Sequence, residues 1–92
     1  MLGIFKKKIT KKYKNGDIYI GEMKNDKQHG QGTMKFEDGD IYEGKWKNDE
    51  QNGKGIYTWG PGQFHKDKYD GDWLDGNMDG YGTYIYNSQG GG

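Results

Sequence analysis

Very few side chains in this sequence have the chemistry of a catalytic or metal-binding group. Cysteine and arginine are absent, Ser88 is the single serine, and the two histidines, His29 and His65, fit no metal-ligand spacing. Four acids near the C-terminus lack the ligand order of a calcium-binding loop; they are Asp70, Asp72, Asp75 and Asp79. No nucleophile–base pair can be assembled from these groups. We therefore expect no catalysis, no metal and no other cofactor.

The lysines are unevenly distributed, which points to a different kind of chemistry. Residues 1–14 hold six lysines and no acid, whereas the remaining 78 residues hold eight lysines and fourteen acids. A basic segment beside the apolar Leu2, Ile4 and Phe5 could contact an anionic membrane, each lysine contributing about 1 kcal/mol. A solvated arm, or attraction between the ends of neighbouring copies, explains the same pattern. The candidates for binding an anionic surface are Lys6, Lys7, Lys8, Lys11 and Lys12.

Composition limits the elements that can position these groups. The chain has 92 residues, of which 29% are apolar, 15% are aromatic and 18 are glycine. A glycine inside a helix costs roughly 1 kcal/mol relative to alanine, so helices are disfavoured. No stretch approaches the roughly 20 apolar residues of a membrane span, and nothing at the N-terminus resembles a signal peptide. A small secreted domain with so little core would usually carry disulfides, so the sequence favours the cytosol.

A pattern of glycines and aromatic residues recurs three times along the chain. The central unit begins Tyr42-x-Gly44-x-Trp46, and matching units begin at Tyr19 and Tyr69. The second spacing is 27 residues against 23 for the first, which places a four-residue insertion before Tyr69. We divide the chain into a basic arm (1–8), a half unit (9–18), and units at 19–41, 42–68 and 69–92, the C-terminal glycines of the last being expected to be disordered.

Each unit is expected to form two short antiparallel strands. Aromatic residues and glycines alternate with charged residues, which is the period of a strand with one wet face. The polar segment 48–53 predicts a turn within the unit. Asn15-Gly16 and Asp38-Gly39 predict tight hairpins between units, with positive φ at both residues of each pair. The sequence therefore predicts an all-β protein, a continuous antiparallel meander whose glycines and rings share one face and form an aromatic groove.

The motif Tyr-x-Gly-x-Trp followed by Gly-x-Gly resembles the MORN (membrane occupation and recognition nexus) repeat. The sequence departs from the family pattern at Met23, where an aromatic residue is usual, and at Asp26 and Asp49, where glycine is usual. The resemblance implies an elongated and twisted single sheet, a β-hairpin array without catalytic activity that serves as a scaffold. Such arrays are found in axonemal, cytoskeletal and organelle-junction proteins, and as modules of lipid kinases and a lysine methyltransferase. The resemblance also implies either protein binding through the aromatic groove or phospholipid binding.

Our leading hypothesis is a scaffold that binds a helix or an extended peptide of a protein partner, with no nucleic-acid partner. The aromatic residues are equally explained as the array's own core, and the segment around Phe64 as a tolerated surface insertion. Carbohydrate or choline binding is disfavoured, because the aromatic residues are separated by one residue and not adjacent. Self-association through the array ends, membrane association and a role in a larger enzyme remain alternatives. The candidate partner-binding residues are Tyr19, Phe36, Tyr42, Trp46, Tyr57, Trp59, Phe64, Tyr69, Trp73 and Tyr84.

Overall fold

A computed structural model describes residues 8–62 and 65–87 of the chain, and these form one antiparallel sheet. Each strand pairs with the next strand in sequence, so the order in the sheet is the order in the chain. The described residues contain no helix. The predicted all-β hairpin array is confirmed. The seven strands are β1 (Ile9–Lys12), β2 (Ile18–Lys24), β3 (Lys27–Lys35), β4 (Ile41–Lys47), β5 (Glu50–Thr58), β6 (Lys68–Leu74) and β7 (Asn77–Ile85).

The two faces of the sheet differ in composition, as the alternating pattern predicts. In β4, Tyr42 and Trp46 are buried while Glu43 and Lys45 between them are exposed. Tyr42 lies directly opposite Tyr57 of β5 in the strand register. Because residues opposite each other in a sheet project to the same side, this register collects the aromatic side chains of successive strands on one face.

The turns within the units are tighter than the sequence predicts. Two consecutive residues have positive φ in each of them, 48° and 72° at Asn48 and Asp49, and the pair is repeated at 25–26 and 75–76. These values belong to a two-residue turn whose twist matches that of the flanking strands. The expected longer turn over 48–53 is therefore wrong, since β5 already begins at Glu50.

The hairpins between units lie where the Asn-Gly and Asp-Gly pairs predict, but their geometry differs. Gly16 and Gly39 have φ near 100°, whereas Asn15 and Asp38 are not among the described residues with positive φ. The Gly16 amide donates to the Tyr13 carbonyl (3.1 Å), and the Tyr13 amide donates to the Asp17 carbonyl (2.9 Å). This is a three-residue loop in which the glycine alone takes the left-handed conformation. The paired positive φ values occur instead within the units.

A β-bulge recurs in the second strand of every unit. Between Gly44 and Trp46, β4 advances by two residues while β5 advances by four, from Gly55 to Gln51, and equivalent shifts occur between β2 and β3 and between β6 and β7. Each bulged segment contains a glycine with positive φ, namely Gly30, Gly53 and Gly80. A bulge bends its strand and increases the local twist. Three bulges at the same position of three units therefore bend the sheet in a repeated way.

Candidate functional site

A row of glycines crosses the sheet, with one glycine from each strand from β2 to β7. Consecutive members lie directly opposite one another in the register; they are Gly21, Gly32, Gly44, Gly55, Gly71 and Gly82. A Cβ added to Gly32 would lie 2.1 Å from the Tyr19 hydroxyl oxygen, and a Cβ on Gly55 would lie 2.1 Å from that of Tyr42. Glycine therefore allows each tyrosine ring to lie directly on the backbone of the next strand.

The side chains on this row form a continuous series that we call the inner ring row. It comprises Tyr19, Trp46, Tyr42, Trp73 and Tyr69. Neighbouring rings meet edge to face with centroid distances of 5.1–5.6 Å, the arrangement that aromatic quadrupoles favour. Tyr19 and Tyr42 are fully buried. The inner ring row is the hydrophobic core of the array.

Hydrogen bonds fix both ring types of the inner ring row. The Trp46 indole donates to the Gly32 carbonyl, and the Trp73 indole donates to the Gly55 carbonyl, each at 3.1 Å. The Tyr42 hydroxyl donates to the Lys45 carbonyl at 2.9 Å. Burial raises the pKa of Tyr42 to about 12, and burial followed by the nearby Glu22 carboxylate raises the pKa of Tyr19 to about 12. These hydroxyls serve as structural donors that stay neutral at physiological pH.

A second series of rings, the outer ring row, runs along the same face nearer to the hairpins that join the units. It comprises Phe36, Tyr57, Trp59, Tyr84 and Tyr86. Centroid distances between neighbours are 6.0, 4.9, 5.5 and 4.7 Å. Tyr84 is 37% exposed and Tyr86 is 77% exposed, while Phe36, Tyr57 and Trp59 are half-buried. The outer ring row therefore presents aromatic surface to solvent.

Aspartates two residues before the first tyrosine of the second and third units hold two tyrosines of the outer ring row, and the sequence analysis did not identify them. Asp40 accepts hydrogen bonds from the Tyr57 hydroxyl and from the Gly60 amide, the latter at 2.7 Å. Asp67 likewise accepts from the Tyr84 hydroxyl at 2.9 Å and from the amide of residue 87 at 2.7 Å. Burial, and then the bond to Asp40, raises the pKa of Tyr57. The signal was available, because aspartate recurs at 17, 40 and 67.

The candidate partner-binding residues fall into three groups. Four of them belong to the core with at most 6% exposure, namely Tyr19, Tyr42, Trp46 and Trp73. These rings are enclosed by their own array and offer little surface to a partner. Phe36, Tyr57, Trp59 and Tyr84 belong to the outer ring row, and Tyr69 is half-buried at the end of the inner ring row. Phe64 lies outside the described residues, as do the C-terminal glycines.

The described candidate lysines, Lys8, Lys11 and Lys12, lie at the opposite edge of the sheet from β7. Lys6 and Lys7 fall outside the described residues. Lys8 and Lys12 are exposed, and the Lys11 ammonium lies 5.1 Å from the centroid of the Tyr13 ring. Over 8–62 and 65–87, no three histidine or acidic side chains come together in a way that could hold a metal ion. In the same residues no helix is present that is long and apolar enough to cross a membrane.

Comparison with known families agrees with this repeat geometry. The family model of the MORN repeat matches residues 19–41, 42–64 and 69–91 in succession. The chain belongs to the MORN repeat family. The four residues left between the second and third MORN matches agree in number with the insertion that the spacing predicts. At the atypical position Met23, the side chain packs partly buried against the core. Asp26 and Asp49 take φ values of 64° and 72°, in the same region as the 85° of Gly76 at the equivalent position.

MORN repeats are modules that interact with proteins or membranes, and they are not known as catalytic. Proteins that contain them are often membrane-associated or cytoskeletal. A search of curated proteins finds no match to this chain.

Proposed function

We propose that this MORN array is a non-catalytic scaffold that binds a helix or an extended peptide of a protein partner on its outer ring row. The observation that carries the proposal is the exposure of that row on a sheet with a single layer. Tyr84 and Tyr86 keep 37% and 77% of their surface exposed although they stack on each other. A contiguous exposed aromatic surface is typical of an interaction site.

The outer ring row has the physical properties of a binding surface as well as the exposure. Tyrosine and tryptophan provide large contact area with few rotatable bonds, so little side-chain entropy is lost on binding. Here the rotation is restricted further, because Asp40 and Asp67 hold the hydroxyls of Tyr57 and Tyr84. A preorganised surface of this kind favours a partner whose apolar side chains pack against the rings.

Two tyrosines of similar exposure on opposite faces provide the test. Tyr86 lies on the outer ring row, whereas Tyr81 is 87% exposed and lies on the other face of β7. Crosslinking and pull-down from the native source should recover a partner whose binding is weakened by Tyr86→Ala and retained in Tyr81→Ala. Equal loss in both variants, or a monomer with no partner, would contradict the proposal.

Binding of an anionic membrane surface is a second candidate, favoured by the exposure of Lys8 and Lys12 beside Lys11 at one edge of the sheet. Sedimentation with vesicles of phosphatidylserine and phosphatidylcholine tests it. Binding should weaken as salt is raised, because exposed charges are screened over about 8–10 Å at 0.1–0.15 M ionic strength. It should also be lost when the lysines of residues 6–12 are changed to glutamine. Binding that is independent of salt would count against this candidate.

The cellular context of the scaffold is a proposal that rests on family resemblance. A cytoplasmic scaffold in a ciliary, axonemal or other cytoskeletal assembly fits a non-catalytic array. A regulatory module of a larger lipid kinase or methyltransferase fits it as well. Localisation of the tagged protein in its native cell tests the first context, and the sequence of the full-length gene decides the second.

A further inference from the structure

Each tryptophan of the array fills a site that the preceding unit provides. The Trp46 indole donates to the Gly32 carbonyl and packs against Tyr19 with a centroid distance of 5.6 Å. The Trp73 indole repeats this arrangement one unit later, on the carbonyl of Gly55 and against Tyr42. We call this combination of a glycine carbonyl and a tyrosine ring an indole site. Two indole sites are therefore filled from within the chain.

The third unit provides the same groups, but no indole covers them within the described residues. Gly82 and Tyr69 occupy the positions of Gly55 and Tyr42. Gly55 is buried and Tyr42 is 0% exposed under its tryptophans, whereas Gly82 is exposed and Tyr69 is only half-buried. The exposure of these two residues is what removal of an indole would produce at either filled site.

The strand that carries this third site is also open along its outer side. Within the described residues β7 pairs with β6 alone, and all nine of its residues are exposed. Exposed strand edges are usually protected by lysine, proline or a bulge. β7 contains neither lysine nor proline, and it exposes apolar side chains including Met78 (44%) and Ile85 (46%). It carries a bulge between Met78 and Gly82, but β3 and β5 carry the same bulge and still pair with β4 and β6. An extended segment can therefore add to this edge by main-chain hydrogen bonds.

We propose that β7 binds a β-strand of a protein partner with the motif Gly-x-Trp and lysine or arginine beside the tryptophan, so that its indole fills the site on Gly82 and Tyr69. The motif of the partner strand follows from the two filled indole sites, because their indoles come from the segments Gly44-x-Trp46 and Gly71-x-Trp73. The basic character follows from Asp79, which is exposed on β7 and lies beside Gly80, the equivalent of the Gly53 that faces Trp73, whereas Asp72 is already paired with Lys54. The site on Gly82 and Tyr69 is separate from the rings of the outer ring row, although Tyr84 of that row also lies in β7, and the inference rests on the proposed function only in taking the partner to be a protein.

Two strands of the chain itself provide matched probes for the site. A peptide with the sequence of β4 has two lysines and one glutamate and therefore a side-chain charge of +1. A peptide with the sequence of β6 has one lysine and two aspartates and therefore a side-chain charge of −1. Both contain Gly-x-Trp. We expect the β4 peptide to bind the full chain more tightly, with a difference that shrinks as salt is added. A β4 peptide with Trp46→Ala should bind about tenfold more weakly or worse, because a buried tryptophan is a typical anchor residue.

Nuclear magnetic resonance of the ¹⁵N-labelled full chain locates the binding. The amides of β7 and of Tyr69 should shift on titration with the β4 peptide. Asp79→Lys in the protein should weaken that binding, and Glu43→Lys, an exposed change in β4, should leave it unchanged. Equal affinity of the Trp46→Ala peptide, or no binding, would overturn the inference. Shifts confined to Phe36 and Tyr57 would overturn it as well, while supporting the docking surface proposed on the outer ring row.

Discussion

Replacing Gly55 by alanine tests whether the tyrosine-on-glycine contact is the core of the array. The new Cβ would lie 2.1, 2.4 and 2.5 Å from Oη, Cζ and Cε1 of Tyr42. Trp46 and Trp73 flank that ring with centroid distances of 5.1 Å each, so it has little space to retreat. Overpacking of this kind costs about 1–3 kcal/mol. Expelling the whole ring costs about 4–6 kcal/mol, from 150–250 Å² at about 25 cal/mol per Å².

We therefore expect Gly55→Ala to lower the free energy of unfolding by about 2–5 kcal/mol, between these two limits. Urea denaturation followed by tryptophan fluorescence measures it. The matched control is Gly82→Ala, whose Cβ would meet Tyr69 at 2.3 Å. Gly82 is exposed and Tyr69 half-buried, so that ring can move outward, and the cost should be about 1 kcal/mol, the low end for overpacking. Equal losses in the two variants would refute the argument that enclosure by tryptophan sets the cost.

Two further predictions concern the turns and the buried hydroxyls. Asp26→Gly and Asp49→Gly both relieve positive φ, but only Asp49 accepts a hydrogen bond from the Gln28 amide of the preceding unit, at 2.8 Å. The Asp49→Gly variant should therefore be less stable than Asp26→Gly by about 1–2 kcal/mol, and identical urea midpoints would contradict this. Tyr19 and Tyr42 have a pKa of about 12 in the fold against 10.0 when unfolded, so their stabilisation is complete below pH 10 and lost as the pH rises to about 12. Ultraviolet titration of tyrosine should show a late group that includes the hydroxyls of Tyr19, Tyr42 and Tyr57, and simultaneous titration of all tyrosines would be inconsistent with their burial.

The array shows how a single-layer sheet can contain a core without a second layer. The glycines leave no side chains on that part of the sheet. The aromatic rings of the same sheet fill the space where a second layer would otherwise pack. The carbonyls of Gly32 and Gly55 then accept indole hydrogen bonds, so polar groups beneath the rings stay paired. Each unit thus buries the tyrosine of the unit before it, which makes stability depend on neighbouring units as in other repeat proteins.

The strands were predictable, whereas the details of the turns were not. Alternation in segments such as 42–47 specifies a half-buried strand, because side chains in a strand point alternately to two faces. The turn types depend on which residue takes positive φ. Asp49 tolerates it at 72°, supported by a contact to the adjacent unit that is far away in sequence. The contact between Asp49 and the backbone amide of Gln28, 21 positions earlier, could not be predicted from the local sequence.

The tertiary structure was likewise needed to decide which aromatic residues are buried and which are accessible. Tyr42 and Tyr57 lie opposite each other in one register, yet one is fully buried and the other accessible. The difference arises because Trp46 and Trp73 both pack against Tyr42, while Tyr57 is held by Asp40 near the hairpins.

The sequence by itself determined the repeat, its strand pattern and its family, because glycine and aromatic spacing is a local property of the chain. Only the tertiary structure decided which rings form the core and which remain available to a partner, because burial depends on side chains that neighbouring units contribute.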